Sequence, residues 1–277
     1  MAIRMKRIIS LSLMCLLLMS LLSNSFSGQV LWDCPECGRT GNAGNYCGGC
    51  AHPAPWIDAV TTSGLNFLEQ DFNVRKTVTF GRYEQDNNTS NGAEEIEWIV
   101  LKYYKNSQKA LLLSKYGLDE KQYNATPYYW LNEGYSKKAW EKSTVRAWLN
   151  EDFLKLAFDP DEQKAIIATA VDNGQYEKTH DKIFLLSGNE ANQYLGANNR
   201  QANKQLRVVM PTAYAIAQGA DSLNAYDGAG WWLLRSETTD VCYILFDGSI
   251  QHSAHFETSG GCIRPALWLD LQPSFNQ

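Results

Sequence analysis

The sequence predicts an α+β protein: a domain of short, irregular antiparallel strands with two or more short helices, preceded by a small four-cysteine module. Three observations carry this. Short apolar runs such as 96-IEWIVLKYY-104 and 241-VCYILF-246 are bounded by turn-forming clusters, the mark of strands. The stretch 143-STVRAWLNEDFLKLAF-158 instead spaces its apolar residues near a helical period. Near the start, Cys34, Cys37, Cys47 and Cys50 form C-x2-C-x9-C-x2-C. With 44% hydrophobic and 20% charged residues, the 277-residue chain can build a real core.

Residues 1–27 read as a secretory signal peptide. Arg4, Lys6 and Arg7 are followed by an apolar run of 15 residues from Ile8 to Leu22 and then by small residues. The run is shorter than the ~20 residues a spanning helix needs. Ser25 and Ser27 suit cleavage before Gly28, whereas Cys15 follows Met14 and so lacks the small residue that lipoprotein processing requires. The expectation is a secreted or cell-surface protein with no transmembrane segment in the mature chain. The formal charge is −5, and without the three cations of the first 27 residues it is 22 − 30 = −8. An acidic chain without a basic run argues against nucleic acid and against an electrostatic hold on anionic lipid.

Residues 28–55 hold the four cysteines. Two residues between cysteines let the backbone turn tightly enough for both thiolates to reach one ion, and Gly38, Gly48 and Gly49 supply left-handed turns. The pattern resembles the small zinc-ribbon family, which implies one structural zinc on Cys34, Cys37, Cys47 and Cys50. Two disulfides are the competing reading outside the cytoplasm, and a thiol-exchange site is a third. His52 is a bystander beside four cysteines. His52-Pro53-Ala54-Pro55 is a stiff exit, and residues 56–75 form a linker without a clear period.

The main domain spans residues 76–272. Val78, Phe80 and Tyr83 begin a strand, "DNNTSNG" is a turn, and 96–104 and 109–118 are strands. Ser143 caps the helix of 143–158, which Pro160 closes. A short helix is expected from Asp161 to about Ile167, then a strand at 182–187. Further helices are expected near Glu190 to Leu195 and from Pro211 through Ala217. The end reads as strands at 231-WWLLRS-236, 241–246 and 262-CIRPALWLDL-271.

The order "FGRYEQ", "IEWIVL", "LLLSKYGL", "STVRAWLN", "KIFLLS", "WWLLRS" and "CIRPALWL" resembles an exported bacterial family of domains of unknown function, over roughly residues 76–271. That family is similar to C-type-lectin-like folds and to the formylglycine-generating-enzyme superfamily. The resemblance implies a compact α+β domain with adjacent ends, but no particular activity. In such a family Arg235 and Arg264 would be structural, bracing the terminal strands through bonds to carboxylates or carbonyls.

Candidate chemistry is sparse. His252-x-x-His255 could bring two imidazoles to one metal, but residues three apart point to opposite faces of a strand, so a surface turn is expected there. Calcium-dependent sugar lectins carry Glu-Pro-Asn or Gln-Pro-Asp, and neither occurs. For Cys242 and Cys262 a cross-strand disulfide is the first reading, buried free thiols the second and a catalytic pair the last. Trp231 and Trp232 should point to opposite faces, so that one could stack on a ligand. Tyr128, Tyr129 and Trp130 are a second aromatic candidate. The reading that results is a non-enzymatic recognition module for an extracellular glycan or protein. The alternatives are an enzyme of formylglycine-generating type or an unrecognised hydrolase, and a structural envelope component.

Overall fold

The computed structural model describes residues 33–34, 38–40, 70–125, 139–196, 204, 206–238, 240–253 and 259–272. The expected signal segment 1–27, Cys37, Cys47, Cys50, nearly all of the expected linker, and Tyr128, Tyr129 and Trp130 lie outside these residues. What is described is mixed α+β, with mostly antiparallel strands and a few short helices.

A meander of β1 (Thr77–Tyr83), β2 (Glu94–Tyr104) and β3 (Lys109–Ser114) begins a six-stranded sheet. The last strand, β13 (Ala266–Asp270), lies antiparallel against β3 and so brings the end of the domain beside its start. The far side of β13 pairs with β5 (Ile166–Ile167) and β8 (Ile183–Phe184). A second sheet runs in the order β11 (Ile250–Ser253), β10 (Val241–Ile244), β9 (Trp232–Leu233), β12 (Gly260–Ile263), β4 (Asp119–Gln122). Only β9 and β12 run parallel among these neighbours. β6 (Thr169–Val171) and β7 (Thr179–Asp181) form a separate ribbon.

The helix expected at 143–158 starts as anticipated, with the Ser143 side chain accepting from the Arg146 amide. It runs as α1 (Thr144–Trp148), a π-helical turn at Leu149–Phe153 and α2 (Leu154–Ala157). Pro160 then opens α3 (Pro160–Ala165), where Asp159 and Glu162 complete a reciprocal capping box. α4 (Gly188–Leu195) has the same device in Ser187 and Glu190, and Thr212 caps α5 (Ala213–Gln218). The run 262–271, expected as one strand, is two strands in two sheets. Arg264 and Pro265 carry the chain across, and proline cannot donate to a ladder.

Between the layers lie Trp98, Trp140, Trp232, Tyr123 and Phe153, all wholly buried. Each buried indole N–H has an acceptor: the Phe80 carbonyl at 2.7 Å, Asp181 Oδ2 at 2.7 Å and the Arg207 carbonyl at 2.9 Å respectively for the three tryptophans. The outer edge of β1 is closed by side chains. The Gln70 amide both accepts from Thr79 N (2.6 Å) and donates to Thr79 O (2.8 Å), imitating a partner strand. One step on, Gly81 N donates to Glu162 Oε1 at a bulge where Gly81 has φ +70°.

Candidate functional site

Trp231 and Trp232 do not offer an open ring, contrary to the expectation from their alternation. Trp231 is only 6% exposed. Its indole donates to Asp221 Oδ2 (2.9 Å), meets Tyr243 edge-on and covers Gly261. Trp232 is wholly buried under the Arg264 guanidinium, 5.1 Å from the ring centre. Trp231 stands just before β9 and Trp232 opens it, and consecutive residues can both be buried when other elements cover both faces of the sheet.

Arg264 donates from Nε to the Ser114 carbonyl (2.7 Å), joining the crossover to the end of β3. Burial pushes its guanidinium down to about 9. Arg235 donates to the carbonyls of Leu185 (2.6 Å) and Asp172 (2.9 Å) and pairs with Glu190 at 3.1 Å. Both arginines tie together segments far apart in the chain.

The expected Cys242–Cys262 disulfide is not made. Both are free, and β9 lies between their strands β10 and β12. Cys262 is level with Trp232, which pairs with Ile244 rather than Cys242, so the two thiols are offset as well as separated. Burial pushes each thiol up to about 12, with Glu237 adding to the effect at Cys242 and Asp221 and Glu120 at Cys262. Burial thus favours the protonated thiol at both positions. His252 is also placed differently from expectation: it lies on strand β11, directly opposite Cys242, and not in a turn. Position 255 lies outside the described residues.

Three of the exposed large apolar side chains, Met210, Leu223 and Tyr226, lie at or beside one loop. Residues 222–229 fold into a loop closed by its own backbone. Tyr226 N and Gly228 N donate to the Leu223 carbonyl, Leu223 N donates to Ala229 O, and the Ser222 hydroxyl donates to Gly228 O. The turn needs left-handed residues, and Asp227 (φ 53°) and Gly228 (φ 85°) supply them. The loop holds out Tyr226, 46% exposed, stacked on Phe246 with ring centres 6.0 Å apart and planes 22° apart. Leu223 (38%) lies in the same loop, and Met210 (40%) packs over Gly228. Phe246 comes from the turn after β10, where Asp247 pairs with Lys204 (2.8 Å) and Arg207 Nε donates to Gly248 O (2.6 Å). Lys204 and Ser249 hold the Asp247 carboxyl down at about 2, against the opposing effect of burial. The turn after β10 is thereby fixed against residues 204–207, and the Tyr226–Phe246 stack joins it to the 222–229 loop. Sequence reasoning passed over "SLNAYDGA" because it reads as a turn cluster, and only the tertiary stack on Phe246 marks it.

For metal ligands, the structure brings Glu84, Asp86 and Glu94 within 4.8 Å of one another. Their oxygens already accept the amides of Gln85, Asn88 and Asn91, which builds the turn between β1 and β2. Of the cysteine module, Cys34 is buried, and Gly38 N donates to Cys34 O (3.0 Å) with Gly38 at φ +71°. No helix among the described residues is long and apolar enough to cross a membrane.

A fold of this kind, with its C-terminal strand paired to an early one and an apolar loop face, defines a class of domain before it defines any activity. Residues 107–271 match the model of a family described as "Domain of unknown function (DUF6273)", and the chain belongs to that family. The match begins after β2, so it omits two strands that complete the same sheet. No curated protein and no solved structure matches the chain.

Proposed function

We propose that the protein is an exported, non-enzymatic recognition module whose C-type-lectin-like domain follows a zinc ribbon. Its ligand is a protein outside the cell, bound on the face formed by Met210, Leu223, Tyr226 and Phe246. The observation that carries this is the exposed Tyr226–Phe246 stack with Met210 and Leu223 beside it, held by a rigid self-bonded loop. Contiguous apolar surface rimmed by polar groups is characteristic of interaction sites, and a flexible thioether adapts to a partner. A glycan is the second reading, favoured by the open ring of Tyr226, on which a sugar face can stack. The separation of Cys242 and Cys262 by β9 speaks against a paired-cysteine chemistry of the formylglycine-generating type.

The test is binding of the mature protein, and of Tyr226→Ala, to extracellular envelope proteins and to a glycan array. A specific protein ligand lost by at least tenfold in the variant is the expected result. A glycan lost in the same way would favour the second reading. Equal binding by both forms would overturn the assignment of this face.

The zinc reading is supported by the tight turn after Cys34, since a left-handed glycine closing onto a cysteine carbonyl suits a metal knuckle. Cys34, Cys37, Cys47 and Cys50 would hold the ion, which would supply folding energy to residues 28–55 and no open position for substrate. Mature protein should carry about one zinc per chain by elemental analysis. Metal-free protein with these four cysteines in disulfides would refute it.

A further inference from the structure

Cys242 and His252 occupy directly opposed positions on β10 and β11, so their side chains leave the same face of the sheet. Sγ and Nε2 stand 3.9 Å apart. We propose that this pair chelates one thiophilic metal ion, of which copper(I) fits best and zinc second. Bond lengths of about 2.3 Å to sulfur and about 2.0 Å to nitrogen span that gap in a bent arrangement, without moving either strand.

The surroundings favour a cation of this type. Cys242 Sγ is packed against Gly188 at the start of α4, where any side chain would meet the sulfur, so the buried side of the site has no room for a full shell of ligands. That restriction suits an ion content with few ligands. His252 is exposed and gives the ion a way in. The Glu237 carboxylate lies close enough to disfavour the thiolate electrostatically, and the same negative charge attracts a cation. It is held by the Asn189 side chain at 3.1 Å. The backbone of Cys242 is fixed by the Ser236 hydroxyl, which accepts its N–H. A thiolate and an imidazole facing each other are a soft and a borderline donor, and this is the reason for naming a thiophilic ion. On binding, the thiol proton leaves to solvent and the neutral imidazole lends its Nε2 lone pair.

The experiment is anaerobic titration of the mature chain with copper(I) against a competing chelator, and in parallel with zinc. The chain contains other thiols, so the reading is a difference between variants. Cys242→Ser should take up one ion fewer than the unsubstituted chain, and Cys262→Ser, whose thiol lacks a histidine partner across the strand, should take up the same number. His252→Gln, at an exposed position that does not threaten folding, should weaken that ion by at least tenfold. Should Cys242→Ser fail to fold, the His252→Gln comparison decides alone. Equal uptake and equal affinity with and without His252 would overturn the proposal.

Discussion

The outer edge of β1 and the rim formed by residues 222–229 and 245–249 use their side chains in opposite ways. At β1, polar side chains close the structure: Gln70 satisfies both backbone groups of Thr79, and Glu162 takes the Gly81 amide. An unpaired strand edge invites another chain, and this one is covered. At the rim, the 222–229 loop is closed mainly by backbone bonds with the Ser222 hydroxyl added, the 245–249 turn is held by Asp247, Lys204 and Arg207, and Leu223 and Tyr226 are left exposed beside Met210 and Phe246. One region spends its polar groups on being finished. The other turns its polar groups inward to hold its two turns and keeps an apolar face outside. The difference teaches where substitutions should cost stability and where they should cost binding.

The largest effect is expected at Gly81. A Cβ there would lie 2.5 Å from the Phe158 ring and 2.6 Å from the Ala157 carbonyl, on a backbone already at φ +70°. Strain of this kind plus overpacking amounts to about 3 kcal/mol in Gly81→Ala. For a domain of this size the melting temperature should fall by roughly 6–12 °C. A shift below about 2 °C would mean that the bulge moves freely, and the contrast with the rim would collapse.

How much of this was legible follows from particular residues. The meander and the α1 segment were readable because "IEWIVLKYY" and "STVRAWLN" carry strong apolar periods, and Ser143 does cap its helix. β4, β7 and β11 were missed because "DEKQ", "THD" and "IQHS" have almost no apolar signal, and each is made a strand by its neighbour. The disulfide expectation failed for a related reason. Two cysteine-bearing strands looked adjacent in sequence, but β9 inserts between them through a parallel pairing that no local pattern announces. The apolar face depends on a contact between Tyr226 and Phe246, twenty residues apart, and so was invisible to any window.

A smaller, pH-dependent effect is expected at Glu162. Burial, with the charge of Asp159 adding to it, pushes this carboxyl from 4.5 up to about 7, while the amides of Asp159 and Gly81 and the charge of Arg82 pull the other way. The folded protein therefore holds this proton more tightly than the unfolded chain. The stability so gained is fully present below about pH 4.5 and is lost as the pH rises to about 7. Glu162→Gln has no such proton to lose. Relative to the unsubstituted protein, the variant should gain on the order of 2–3 kcal/mol between pH 4.5 and pH 8, whatever fixed cost the lost carboxylate brings. Denaturant titrations at the two pH values measure this difference. A constant gap would show that the β1 edge is closed by an ordinary ionised carboxylate.

The smallest effect on stability should be at Tyr226, where the comparison predicts almost none. The ring is nearly half exposed and its one stacking partner, Phe246, also packs against the core. The loop is shaped by bonds from the amides of Leu223, Tyr226, Asp227, Gly228 and Ala229, which a change of side chain leaves in place. Tyr226→Ala should thus stay within about 0.5 kcal/mol of the unsubstituted protein, a shift of no more than about 2 °C in melting temperature. Paired with the loss of ligand binding expected of the same variant, an unchanged melting curve would separate recognition from folding at this face. A fall as large as that of Gly81→Ala would instead make Tyr226 part of the scaffold, and the rim would then be no different in kind from the sealed edge of β1.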